Sequence, residues 1–256
     1  MNEISAHTRS YWEYEYQVSS RYMAPLLREW GSPPDGATVL DVGCAEAGGL
    51  CALHDAGAAC AGFDVDEDRV RAAAVLRGDR AIELRTGDMY ADGTPFAGRQ
   101  FDLVVLHDVF EHLDRKHAMM VKLSGYMKPD GRMLITFPPY YSAYGAHQQH
   151  LRAPFARLPF FHMIPFAISA LIPRLRNESP AIVAEVQKLG RLRMGMARFE
   201  AIAASAGLRV VQKRAYLISP NHIRFGLKPI AAGPVARLPL IAEVACTGVV
   251  YLLSKS

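Results

Sequence analysis

Cysteine is scarce and scattered: Cys44, Cys51, Cys60 and Cys246 are the four in 256 residues. No C-x-x-C pair occurs among them, which sets aside small disulfide scaffolds, zinc knuckles and dithiol redox centres. The first residues, 1–17, are polar and lack the apolar core of a secretory signal. Together these two features predict a protein of the reducing cytoplasm. Long hydrophobic runs are missing too. The greasiest uncharged stretch, 158–173, is too short to span a bilayer and is interrupted by proline. Internal repeats and low-complexity tracts are absent. The excess of positive charge is small, with 29 Lys and Arg against 25 Asp and Glu for a net +4. A nucleic-acid reader concentrates its basic residues on one face. Here the densest group, Arg174, Arg176, Lys188, Arg191 and Arg193, is modest and reads as a solvated face.

What is present is the balance of a globular domain, half apolar and 21% charged. Apolar runs of strand length alternate with helix-period segments, the pattern of a parallel sheet with crossover helices. An aromatic-rich helical stretch is expected over 11–30, then strands over 37–42, 59–63, 82–84, 101–106 and 133–137. Helices are expected over 48–56, from 67 onward and over 109–126. From 138 to 195 the rhythm gives way to aromatics, prolines and histidines. A loop-like stretch this long is uncommon in a compact domain unless it works, so it reads as a substrate lid. A helix over 197–206 and strands over 208–218 and 247–253 follow. With no crossover helix between those two strands, the last should run antiparallel. The expected organisation is an N-terminal helical cap (1–36), a core (37–137 and 196–256) and the inserted lid (138–195).

Ligands of open α/β sheets bind at the carboxyl ends of the strands. The segment 39–50, Val-Leu-Asp-Val-Gly-Cys-Ala-Glu-Ala-Gly-Gly-Leu, is such an end, with small residues that let backbone approach a ligand. Asp64 closes the second strand, where a carboxylate can accept from two ribose hydroxyls. Asp88 and Met89 follow the third, placed to take an adenine amino group and cover its ring. His107 and Asp108 end the fourth. A nicotinamide site would need G-x-G-x-x-G spacing, and this turn does not have it.

The segments 39–44, 62–65, 87–89, 101–105 with Glu111-His112-Leu113, and Met127-Lys128-Pro129-Asp130-Gly131 resemble the successive motifs of class I S-adenosylmethionine-dependent methyltransferases. The nearest group is the small-molecule one that includes ubiquinone-pathway O-methyltransferases. The resemblance covers 37–137 well and the last two strands loosely. It implies a doubly wound, Rossmann-like α/β fold of seven strands in the order 3-2-1-4-5-7-6, the last antiparallel. It implies that the Gly43 loop takes the methionine moiety, Asp64 the ribose, and Asp88 with Met89 the adenine. Asp41, Cys44, Ala45, Val65 and His107 complete the expected cofactor surroundings. Ala45 and Ala47 stand where the family usually has glycines, an exchange expected to crowd the cofactor.

Methyl transfer from a sulfonium is an in-line displacement, helped by positioning and by removal of the acceptor's proton through a base or metal. On a continuous helix Asp108, Glu111 and His112 would share one face. Some metal-dependent relatives carry Glu-x-x-Glu-His here, which this chain resembles with Asp108 in place of the first Glu. The expectation is a divalent-metal site of Asp108, Glu111, His112 and one of His147 or His150. The alternative is metal-free catalysis with His112 or His147 as base. Tyr140, Tyr141, Tyr144, Phe155, Phe160, Phe161 and Phe166 of the lid suggest an apolar or aromatic small-molecule acceptor, with Tyr11, Trp12, Tyr14 and Tyr16 closing the pocket from the other side. The apolar segment 220–240 suits a dimer contact, an anionic membrane surface or the pocket wall, so monomer and homodimer both stay open. Two other readings are an RNA ribose 2′-O-methyltransferase and a non-catalytic cofactor-binding partner subunit.

Overall fold

The computed structural model describes residues 4–164 and 177–256. Phe166, Arg174 and Arg176, named above, lie outside the described residues. The chain opens with α1 (Ala6–Val18), capped by the Ser5 hydroxyl accepting from the Thr8 N–H, and passes through a π-helical turn into α2 (Ala24–Glu29). Then come β1 (Thr38–Val42), α3 (Gly48–Asp55), β2 (Ala59–Asp64), α4 (Glu67–Leu76), β3 (Glu83–Thr86) and β4 (Phe101–His107). After them come α5 (Lys116–Ser124), β5 (Met127–Phe137), α6 (Pro180–Leu192), α7 (Met196–Ser205), β6 (Leu208–Ile218), β7 (Ile230–Ala231), α8 (Pro239–Ala245) and β8 (Gly248–Lys255).

The strands form one mixed sheet in the order β3-β2-β1-β4-β5-β8-β6-β7. Without the two-residue edge strand β7, this is the predicted order. The first five strands pair in parallel, while β8 is antiparallel to both β5 and β6. Burial on both faces explains why these strands read as apolar runs instead of alternating ones. Leu40, Val42, Phe110, Phe199 and Tyr251 pack on one side, and Val39, Leu50, Leu134 and Leu252 on the other.

Three local expectations need correction. The continuous helix over 109–126 is a 3-10 turn, Phe110–His112, followed by the separate helix α5. The break has a physical cause. The buried Lys116 ammonium donates to the carbonyls of Phe110, Glu111 and Leu113 at 2.7, 2.8 and 2.8 Å, taking acceptors a helix would have used. The region 138–195 is not wholly irregular either. It contains α6, whose Ile182, Val183, Val186 and Leu189 pack against lid residues. Lastly, β5 starts at Met127, taking Pro129–Gly131 into the strand through a register irregularity opposite Phe101 and Leu103. Among the described residues, no helix is long and apolar enough to cross a membrane.

Candidate active site

The carboxyl ends of β1 to β5 open onto a cleft of about 690 Å³. Its floor begins at Gly43, whose φ of 80° suits glycine and where a Cβ would sit 2.6 Å from Val109 Cγ2. The Gly43 and Cys44 N–H groups donate to the Phe63 carbonyl at 2.8 and 3.1 Å, fixing the loop to β2. Asp64 braces the same loop: its Oδ2 accepts from Ala45 N–H and its Oδ1 from Asp66 N–H, both at 2.9 Å. Each carboxylate oxygen keeps a further lone pair for a ligand hydroxyl. Asp88 accepts from the Tyr90 N–H at 2.8 Å, and its neighbour Met89 is buried.

Gly43, Ala45, Asp64, Val65, Asp88, Met89 and His107 all line the cleft. Asp41 and Cys44 do not; both are buried beneath the loop. Asp41 loses solvation there, and with Asp64 adding to the effect against His107 its carboxyl is pushed up to about 7. A floor of glycine and small residues with flanking acids at Asp64 and Asp88 fits a nucleoside carrying an amino-acid tail.

Past His107, the 3-10 turn carries Glu111 and His112 toward His147 from the lid. The potential ligating atoms of these three lie within 4.8 Å of one another. His112 Nε2 and His147 Nε2 are 3.5 and 3.7 Å from Glu111 Oε1. Glu185, on α6, reaches His112 Nδ1 from the opposite side. Both Glu111 oxygens and His147 Nε2 are sealed from solvent without a hydrogen-bond partner. Burial works against protonated His112, but Glu111 and Glu185 outweigh it and hold its pKa above the ordinary value.

Asp108 and His150 stand outside this group. Asp108 has a left-handed backbone, φ 54°, so the helix face expected to align it with Glu111 does not exist. Its carboxylate accepts instead from Thr136 Oγ1 at 2.8 Å and from Asn221 Nδ2. His150 lies on the cleft wall, its pKa lowered to about 4 by burial, with His147 and Arg224 adding to the effect.

Tyr11 and Tyr14 line the cleft, whereas Trp12 and Tyr16 stack on each other at 5.4 Å and pack on the core. Of the lid aromatics, Tyr144 lines the cleft. Tyr140 and Tyr141 pack with Leu189, and Phe155 with Phe161, as small satellite cores. From the C-terminal segment, Asn221, His222 and Arg224 join the wall, the pocket role among the three expected. Glu15, Glu185 and Asn221 are site residues the motifs do not reveal. Only Glu185 had a signal, the apolar period of α6.

Residues 12–174 match the family described as "Methyltransferase domain". The chain is 28% identical over 126 residues to an uncharacterized methyltransferase of Mycobacterium tuberculosis, covering 49% of this chain and 48% of that one. It is 31% identical over 120 residues to a ubiquinone biosynthesis O-methyltransferase of Dinoroseobacter shibae, covering 46% and 47%. The matched stretch thus spans about half the length of these curated relatives. In structure it is similar to the magnesium protoporphyrin IX methyltransferase of Synechocystis with bound S-adenosylhomocysteine. That similarity has TM-score 0.55 at 15% identity, covering 100% of this chain and 90% of that one. With the family matched over more than half its length, and with the sheet order and strand-end motifs of the fold, the chain belongs to the class I S-adenosylmethionine-dependent methyltransferases.

Proposed function

We propose that the protein moves the methyl group of S-adenosylmethionine to an oxygen of a small, fairly apolar or glycosidic acceptor. The observation that carries this reading is the cluster of Glu111, His112 and His147, with Glu185 beside His112, on the His107 side of the cleft. Bound in the cleft, S-adenosylmethionine supplies an activated methyl on a sulfonium, so the protein has to align the acceptor and remove its proton. His112 and His147 line the cleft where an acceptor hydroxyl would lie, with the buried Glu111 beside both. Tyr14, Tyr144 and Leu113 give that region an aromatic and apolar wall. A narrower cavity of about 40 Å³, lined by Val18, Met23, Phe137 and Val249, shares His107 and Asp108 with it and favours an apolar acceptor.

The donor set fits a divalent cation. Two imidazoles and carboxylate oxygens with no other partner are the ligand chemistry of such ions. A cation held by Glu111, His112 and His147 would supply charge that favours the deprotonated acceptor. Without one, His112 or His147 would take the proton. Metal analysis of tag-free protein, with activity before and after chelation, separates the two. The expected result is about one ion per chain, lost in Glu111→Gln, and methyl transfer that chelation abolishes. Full transfer by metal-free protein would sink the cation and leave the histidine base.

An RNA acceptor is less well supported. The cations on the cleft wall are already engaged: Arg69 with Glu46, Lys188 facing Asp114, and Arg224 over the Tyr14 ring. Labelled methyl should therefore appear in a small-molecule fraction. Label in RNA, with acceptor KM climbing steeply as salt rises, would reverse that choice.

A further inference from the structure

Glu15 projects from the last turn of α1 onto the cleft wall that also holds Gly43 and Ala45. Its Oε2 is sealed from solvent and has no hydrogen-bond partner. A buried carboxylate is costly unless an opposite charge or a donor meets it. The nearest cation is already committed. Arg69 donates through Nη2 and Nε to Glu46 Oε2 at 2.7 and 3.1 Å, and its guanidinium lies over the Tyr11 ring at 5.0 Å. Under the same loop, Asp41 Oδ1 is also sealed and unpartnered. This end of the cleft therefore holds two sealed carboxylate oxygens that no cation pairs with.

The helix is held in place by the loop it overlooks. A Cβ on Gly48 would fall 2.2 Å from the Trp12 carbonyl oxygen and 2.9 Å from Glu15 Cβ. Only glycine at the start of α3 lets α1 lie this close. The close packing brings Glu15 to the Gly43 loop.

We propose that Glu15 receives the α-ammonium group of S-adenosylmethionine, which makes α1 a part of the cofactor site. The proposal rests on the S-adenosylmethionine reading of the cleft. An ammonium has three N–H donors and a full charge, which is what the orphaned oxygen lacks. The sulfonium, the cofactor's other cation, has no N–H to give. Burial holds Glu15 well above the usual carboxylate range, opposed by Arg69 and Tyr11 and reinforced by Glu46 and Asp41.

The test is calorimetric titration of wild type and Glu15→Gln with three probes: S-adenosylhomocysteine, S-adenosylmethionine and 5′-methylthioadenosine, which has no amino-acid part. Glu15→Gln should weaken both amino-acid-bearing probes tenfold or more and leave 5′-methylthioadenosine within twofold. Unchanged affinity for S-adenosylhomocysteine in Glu15→Gln would overturn the proposal alone. So would an equal loss for all three probes, which marks a structural role, or a loss confined to S-adenosylmethionine, which marks the sulfonium. No binding of any probe by wild type would overturn the cofactor reading and the proposal together.

Discussion

Ala45 and Ala47 hold φ angles of 50° and 62°, in the left-handed region where a Cβ crowds the following carbonyl. That conformation costs an L-residue roughly 1–2 kcal/mol, while glycine's extra freedom in the unfolded chain costs about 0.4–1 kcal/mol. The first effect is the larger, so Ala45→Gly should stabilise the protein by up to ~1 kcal/mol. Urea unfolding checks this, and a lower midpoint would show that the alanine methyl packs usefully. Asp41 gives a prediction in pH. Its folded pKa near 7 lies above the usual aspartate value of about 3.9, so folding takes up a proton between those two values. The stability this site contributes is full below the lower value and is lost as pH rises through the upper one. Asp41→Asn should therefore lose less thermal stability than wild type between about pH 5 and 7.5; parallel curves would rule the effect out. Asp64 and Asp88 were legible through their joint order and spacing at successive strand ends, which is hard to get by chance. Glu15 was not, since one acid among the aromatics of a helix looks like solvent-facing charge until the helix is docked.

At the level of elements, the turn before α5 matters most. Lys116 gives its three protons to the carbonyls of that turn, and burial lowers its pKa to about 8. Lys116→Met leaves buried carbonyls without partners, a loss on the order of 3 kcal/mol. The turn also carries Glu111 and His112, so kcat should fall further than the affinity for S-adenosylhomocysteine. Equal losses in both would mean that the turn does not position Glu111 and His112 for transfer. A second prediction concerns α6. Glu185→Gln removes the carboxylate beside His112 while keeping the lid folded, and methyl transfer should drop tenfold or more with S-adenosylhomocysteine binding unchanged. Unaltered turnover would return Glu185 to the lid's own packing. Periodicity did not show the break between this turn and α5, because Val109, Leu113 and Met120 keep a helical spacing across it. What ends the helix is an inward-facing lysine, and a lysine in sequence reads as exposed. For α6 the apolar period was present but outweighed by the prolines and aromatics before it.

The whole molecule is a two-sided sheet whose topology was readable from the strand–helix alternation and from the motifs at the strand ends. The residues that close the cleft come from remote stretches, α1, the lid and the segment after β6, and no local pattern announces such meetings. A cleft assembled from distant parts should be steadied by its ligand. S-adenosylhomocysteine at a hundred times its Kd adds about 2.7 kcal/mol, which for a domain of this size raises Tm by roughly 5–10 °C. A shift below about one degree at that saturation would contradict specific binding. One feature of the sheet also bears on how the protein is made. Because β8 lies between β5 and β6, β6 leaves the ribosome before the strand that will join it to the rest. Until β8 emerges, the growing chain holds a half-sheet ending at β5 with that edge unpaired, and β6 with α7 has nowhere to dock. That interval exposes an apolar strand edge, the sort that invites pairing with a neighbouring chain. Slowed synthesis between residues 218 and 248 should therefore lower the soluble yield.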